Sequence, residues 1–276
     1  MDIRQSQQYA DYLEKKGWVV KRINNTNYFI RTLPLIGSIL KVQRPKKIDF
    51  KEIDKLARKY RSFQVIVEPE NNEQTPGLIK SGFRLSKSPF LPSKTLQIDL
   101  TKSKDYIFSN FKKDVRQAIR KGSGQVIKSY SSPNEIKKFR NGWKNCVNFK
   151  RFVPGEAQLI NLRKSFPQSK SLFLASHNIS SSIIGGAIFT RSSHDIVYYW
   201  QAFTSDEGRT SLSQYSLLYK GILWGKKMGC KIFDFEGVYD ERFPNKSWLG
   251  FTHFKKSFGG HEVSYPGCYI RFRFPI

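Results

Sequence analysis

Met228-Gly229-Cys230-Lys231-Ile232-Phe233-Asp234-Phe235-Glu236-Gly237-Val238 and, after it, Phe251-Thr252-His253-Phe254-Lys255-Lys256-Ser257-Phe258-Gly259-Gly260 are the most informative stretches of the chain. Ile232 to Glu236 reads as a strand, and its alternation places Asp234 and Glu236 on one face and Phe233 and Phe235 on the other. Phe251, Phe254, Lys255 and Phe258 recur at i, i+3, i+4 and i+7, the spacing of one helical face. A lysine in an aromatic face is costly, because desolvation disfavours its charge. The site suits a bound anion or a developing negative charge. A stem laid along the rings with its head in water satisfies the same pattern. The two carboxylates likewise fit either acid–base work or a turn cap beside a solvated side chain.

Working outward, segments of five to eight apolar and β-branched residues alternate with helical patterns, which indicates a mixed α/β order. Strands are expected at Trp18 to Val20, Tyr28 to Arg31, Ile39 to Gln43 and Gln64 to Glu68, with a helix from about Lys51 to Lys59. Thr95 to Leu100 alternates as a strand. Ser103 then caps a helix expected to reach Lys121 and stop at Gly122. Its buried stripe is Ile107, Phe108, Phe111, Val115, Ala118 and Ile119; Lys112, Lys113, Arg116, Arg120 and Lys121 make a basic surface beside it. A solvated face explains such charges by default, but only Asp114 balances them, and a phosphate-rich partner fits equally.

Further on, Glu135 to Val147 and Asn161 to Ser165 read as helical and Ser171 to Ser176 as a strand. Ile183 to Thr190 and Ile196 to Phe203 form a hairpin about Ser192-Ser193-His194-Asp195, and a helix runs from about Leu212 to Met228. Gly185-Gly186 inside a strand signals a bulge or a close approach of backbone to a ligand.

The 276 residues suffice for one large or two small domains. A net charge of +26, from 48 basic and 22 acidic residues, points to a polyanionic partner: nucleic acid, an anionic membrane surface or a phosphorylated metabolite. The beginning, Met1-Asp2-Ile3-Arg4-Gln5-Ser6, has no apolar leader, and no later run approaches a membrane span, so a cytoplasmic protein is expected. Cys146, Cys230 and Cys268 show no disulfide framework, and His177, His194, His253 and His261 make no metal spacing with them. No metal or cofactor is expected. No Gly-x-Ser-x-Gly elbow, P-loop or Gly-x-Gly-x-x-Gly fingerprint occurs, which disfavours a Ser-His-Asp hydrolase, a nucleotide-driven motor and a dinucleotide oxidoreductase.

Three segments together resemble the Fem (FemABX) family of peptidoglycan interpeptide-bridge aminoacyl-tRNA transferases. They are Leu33-Pro34-Leu35-Ile36-Gly37 through Arg44-Pro45, Thr95 to Leu100 with Arg116-Gln117-Ala118-Ile119-Arg120-Lys121, and Phe233-Asp234-Phe235-Glu236-Gly237 with Phe254 to Gly260. The likeness runs from Gly17-Trp18 to Tyr269. It implies an α+β (mixed α/β) chain of two tandem acetyltransferase-like (GNAT) domains with mixed central sheets: residues 1–128 plus 262–276, then 129–261 with the catalytic segment. It also implies the partners: an aminoacyl-tRNA donor and the stem-peptide amine of a lipid-linked or nucleotide-linked peptidoglycan precursor. A lipid-linked acceptor would bring transient contact with the inner face of the membrane.

By the same resemblance Lys255 and Phe254 sit at the tRNA end and reacting carbonyl, with Asp234 as the nearest group to take the amine's proton. Lys41, Arg44, Tyr199, Arg209 and Tyr215 would hold the acceptor. Lys112, Arg116, Arg120, Lys121 and Lys256 would hold tRNA. Relatives often have a small residue where this chain has Glu236, and the long helical arm that some carry has no counterpart. Two other readings remain. An acyl-CoA-dependent N-acyltransferase would use Glu207-Gly208-Arg209-Thr210-Ser211 as a degraded pyrophosphate loop. A non-catalytic RNA-binding module would stack bases on Tyr198-Tyr199-Trp200 and the Phe and Lys cluster.

Overall fold

The structure, a computed structural model, describes residues 1–149, 151–192 and 195–273, the side chain of Ser123 excepted. Ser193 and His194, the tip of the expected hairpin, lie outside the described residues. The strands are β1 (Val19–Ile23), β2 (Thr26–Leu33), β3 (Gly37–Gln43), β4 (Ser62–Glu68), β5 (Arg84–Leu85), β6 (Lys94–Asp99), β7 (Val126–Tyr130), β8 (Ser171–His177), β9 (Ile183–Arg191), β10 (Ile196–Thr204), β11 (Ile232–Gly237), β12 (His261–Ser264) and β13 (Tyr269–Phe272). They form two mixed sheets, ordered β1-β2-β3-β4-β13-β5 and β12-β6-β11-β10-β9-β8-β7.

The chain divides into two compact units. The first comprises Met1–Thr95, Gly237–Leu249 and the segment from Val263. Its strands pair antiparallel except for β3 with β4. The helix Phe50–Lys59 starts where the Asp49 carboxylate accepts the Glu52 N–H, and it presents Ile53, Leu56 and Ala57 to the sheet at i, i+3 and i+4. There they meet Ile30, Leu40, Val65 and Val67, all fully buried. A large aliphatic side chain so placed contributes about 2 kcal/mol. The strand β13, late in the chain, lies antiparallel to β4.

The second unit comprises Leu96–Glu236 and Gly250–Glu262. Ser132 and Glu135 form a reciprocal capping box at the start of the helix Pro133–Cys146. That helix buries Phe139 against Phe173 and Phe203, with ring centroids 5.5 and 5.3 Å away. The helix Ser213–Lys227 is the longest described, at 15 residues, and Gly229 ends its turn at φ +73°. No long helical arm occurs among the described residues, and none of their helices is long and apolar enough to cross a membrane.

One expectation is corrected and another is located. The helix expected to run unbroken from Ser103 to Lys121 is two, Lys104–Ser109 and Lys113–Lys121. Between them the Lys112 N–H leaves the helical ladder and donates to the Ser257 carbonyl at 2.9 Å. The bulge signalled by Gly185-Gly186 lies at their edge: β8 pairs Ser176 with Gly185 and then His177 with Ile183, which leaves Ile184 as the extra residue, while Gly186 pairs with Ala175 and Phe203. A Cβ on Gly186 would stand 2.4 Å from the Phe203 ring, so the glycine makes room for a side chain of this chain rather than for a ligand.

Candidate active site around Lys255

Strands β10 and β11 run parallel and pair only from Ile196↔Ile232 to Tyr198↔Asp234. Beyond that, the register of β10 with β9 shifts between Tyr199 and Gln201, and β10 continues beside β9 to Thr204. The carboxyl ends of parallel strands, where neighbours part, are where such sheets admit ligands. The sequence folds this way because Glu236 leaves the extended conformation: its φ is +59°, in the left-handed region. The expected alternation of Asp234 and Glu236 on one strand face therefore ends at Phe235. Asp234 is buried; its Oδ1 accepts the Glu236 N–H at 2.7 Å and its Oδ2 accepts the Gln97 side-chain amide at 2.8 Å. A buried carboxylate with a donor on each oxygen holds a turn open for its neighbour.

Lys255 enters from the helix Leu249–Lys256 and is buried, 9 % exposed. Its ammonium lies 4.9 Å from the Phe251 ring centroid and 5.9 Å from that of Tyr199, within cation–π range. Burial pushes its pKa down to about 8; Glu236 and then Asp234 pull it back up. The resident carboxylates thus keep a desolvated ammonium charged near neutral pH. Glu236 thus supplies a second carboxylate, beside Asp234, to the surroundings of that ammonium.

Tyr199 is the second ring beside the ammonium. Its hydroxyl donates to the Gln214 Oε1 at 3.1 Å, while the Gln214 amide donates to the Phe203 and Gly186 carbonyls at 2.6 and 3.3 Å, which fixes its orientation. Burial raises the Tyr199 phenol's pKa, so it stays neutral. Phe254 packs edge-on against Tyr215 at 5.0 Å, and Tyr215 stacks on Phe258 at 5.8 Å. Phe258 in turn meets Phe235 at 5.6 Å and Phe111 at 5.2 Å. The helix ends at Lys256, so Phe258 reaches these rings from the following turn rather than from a continued helical face. The arrangement offers one cation, held over rings, to a negative charge developing at the mouth of the parted strands.

The other expected residues are placed as follows. Arg209, exposed, pairs with Asp206 and donates to the Thr204 carbonyl at 3.4 Å. Arg116 donates to the carbonyls of Ser109 and Phe111 at 2.7 and 2.6 Å, and so closes the break between its two helices. Lys256 pairs with Glu262, and Arg120 lies 5.7 Å over Phe108. Lys112 and Lys121 are exposed. In the first unit Lys41 lies between Phe90 and Trp18, 4.2 and 5.4 Å from their rings, and burial lowers its pKa. Arg44 is buried, 3.2 Å over Tyr265, and donates to the Pro92 carbonyl at 2.7 Å. That unit also holds a cavity of about 530 Å³ lined by Phe90, Tyr239, Phe243, Lys246 and Trp248.

Gln97 and Gln214 were not among the expected site residues. Gln97 carried a signal, a polar residue inside the strand Thr95 to Leu100. Gln214, on a helix, carried none. Glu236→Gly is expected to leave stability nearly unchanged at neutral pH, because the relief of the left-handed φ is offset by the lost attraction for the Lys255 ammonium and by the greater freedom of glycine in the unfolded chain. It should also lower the Lys255 pKa further, because the larger upward pull on it is removed. Thermal unfolding and a pH titration of Lys255 by NMR check the two effects.

No protein-family model and no curated protein matches the chain. Solved structures do. The crystal structure of FemX superposes with a TM-score of 0.82 at 13% identity, covering 99% of this chain and 92% of that one. L-PGS from Bacillus licheniformis gives 0.62 at 14%, covering 100% and 95%. A tandem GNAT protein from the clavulanic acid biosynthesis pathway gives 0.56 at 9%, covering 90% and 78%. At such identities the likeness is one of fold. This chain has the fold of FemX, a mixed α/β architecture of tandem acetyltransferase-like units.

Proposed function

We propose that the protein is an aminoacyltransferase that moves an amino acid from aminoacyl-tRNA to the stem-peptide amine of a peptidoglycan precursor. The observation that carries this reading is the buried Lys255 ammonium, held among Tyr199, Phe251, Asp234 and Glu236 where β10 and β11 part, on the fold of FemX. In this reading the acceptor nitrogen attacks the ester carbonyl and a C–N bond forms. Negative charge collects on the carbonyl oxygen, the C–O bond to the ribose breaks, and the amine's proton leaves while the ribose oxygen gains one. The Lys255 ammonium stabilises the oxyanion, and orienting the two bound substrates supplies much of the remaining rate. Asp234 already accepts a hydrogen bond on each oxygen and serves to hold Lys255. Glu236, only partly buried, is the carboxylate better placed to pass the amine's proton to water.

The loop after β10 argues against coenzyme A as donor. Asp206 and Glu207 occupy the first turn of the short helix Asp206–Thr210, where a pyrophosphate would need bare N–H groups, and the Ser205 hydroxyl already caps Gly208 N–H. Asp206 there is paired with Arg209, and the Glu207 carboxylate beside it repels an anion.

The test is transfer of label from a mixture of radiolabelled aminoacyl-tRNAs to a muropeptide acceptor, run beside acetyl-CoA with the same acceptor. Label from tRNA supports the reading; acetylation alone replaces it. For tRNA binding, Lys112→Gln, Arg120→Gln and Lys121→Gln together are expected to weaken affinity about tenfold or more. They should also flatten the slope of log affinity against log salt by about 2, with little change in kcat. Filter binding across a salt series reads both quantities.

A further inference from the structure

We infer that the β2–β3 hairpin tip docks on an anionic lipid surface. The turn Leu33-Pro34-Leu35-Ile36 closes with the Ile36 N–H on the Leu33 carbonyl at 3.3 Å, with Pro34 at its second position and Leu35 at its third with φ +65°. That third position in such a turn demands a left-handed residue and favours glycine or asparagine. Here it holds a leucine that is completely exposed, at 108 % of its reference area, and the following Ile36 is 60 % exposed. Neither local conformation nor burial accounts for an apolar pair at this point.

The tip is braced. Gly37, at φ +113°, lies against the Arg61 carbonyl, so that a Cβ there would be 2.4 Å from it. The Ser38 N–H donates to that same carbonyl at 3.1 Å, and the Ser38 hydroxyl donates to the Tyr60 carbonyl at 2.8 Å. These bonds fix the apolar tip beside the end of the helix Phe50–Lys59, where Arg58, Lys59 and Arg61 are all exposed. Asp54, on the same helix, is engaged by Arg271 and Arg273.

An apolar point beside three cations matches a surface whose hydrocarbon edge lies beneath negative headgroups. Two apolar side chains fall far short of the roughly 800 Å² per partner that a stable protein interface needs. Bases of single-stranded RNA stack on aromatic rings, and the tip has none. The inference stands apart from the transfer reading, and its test uses no transfer assay.

The test is co-sedimentation with vesicles of phosphatidylcholine alone and of phosphatidylcholine with about one-third phosphatidylglycerol. The double variant Leu35→Asn, Ile36→Ser is expected to lose about tenfold in partitioning to the anionic vesicles. Its Tm should not fall, because asparagine tolerates the left-handed φ. Arg58→Gln, Lys59→Gln and Arg61→Asn together are expected to lose about a hundredfold. In Leu35→Trp, the emission added over the parent's should shift to the blue with anionic vesicles and be quenched by brominated acyl chains. Unchanged partitioning of the double variant, an unshifted Leu35→Trp, or loss of tRNA binding by the Arg58, Lys59, Arg61 triple variant with its vesicle binding intact would each overturn the inference.

Discussion

Replacing Lys255 with methionine is expected to remove most transfer activity and to raise stability at the same time. The two effects share one cause. A pKa of about 8 in place of 10.5 means that holding the ammonium inside costs about 3 kcal/mol at neutral pH. That figure already includes the attraction of Glu236 and Asp234. A neutral side chain of similar length avoids the cost, and allowing for imperfect packing the variant should gain about 2 kcal/mol. The sign with pH follows from proton counting. Between about 8 and 10.5 the unfolded lysine binds a proton that the folded one has lost, so the parent's stability rises with pH across that window. The advantage of the methionine variant is therefore full below about pH 8 and gone above 10.5. The loss in kcat should be about 10²- to 10³-fold, the size of removing one oxyanion donor. Urea unfolding at two pH values and single-turnover transfer measure the two sides.

The second large effect is expected at Gly260. Its φ is +91°, and a Cβ there would stand 2.4 Å from the Gln97 carbonyl. Backbone cannot move aside as a flexible side chain can. Gly260→Ala should therefore cost about 3 kcal/mol or more, combining the left-handed conformation with the clash. It should also disturb the site, because Gln97 donates to the Asp234 carboxylate, which in turn holds the turn at Glu236. A fall in Tm accompanied by a change in the Lys255 titration would show both consequences. A fall in Tm with the titration unchanged would separate the glycine from the site.

Local signals were legible where short-range periodicity decides the outcome. The strands β2, β3 and β4, the helix Phe50–Lys59 and the β9–β10 hairpin follow from alternation and capping within each segment. The lysine in an aromatic pattern was legible as a buried cation, since Lys255 is buried beside Tyr199 and Phe251. What the sequence hid depends on contacts made far along the chain. Gln97 and Asp234 are 137 positions apart, and nothing local joins them. The Ser103 to Lys121 pattern is helical throughout its apolar stripe, yet the break at Lys112 is set by the Ser257 carbonyl. Glu236 resembled any other alternating strand residue, because a left-handed φ leaves no trace in a residue type that rarely adopts it. Basic residues were the least legible. Lys112, Arg116 and Arg120 look alike in sequence, yet Arg116 is spent on two backbone carbonyls while Lys112 is exposed.

In the proposed reaction the Lys255 ammonium stabilises the oxyanion of aminoacyl transfer. The measurement that tests it most directly is the single-turnover rate from bound aminoacyl-tRNA to a muropeptide amine, from about pH 6 to about pH 10. For the parent the rate is expected to fall as pH rises through about 8, where Lys255 loses its proton, and for Lys255→Arg that fall should move to higher pH. An identical falling limb in the parent and in Lys255→Met, or undiminished transfer by Lys255→Met, would contradict the account.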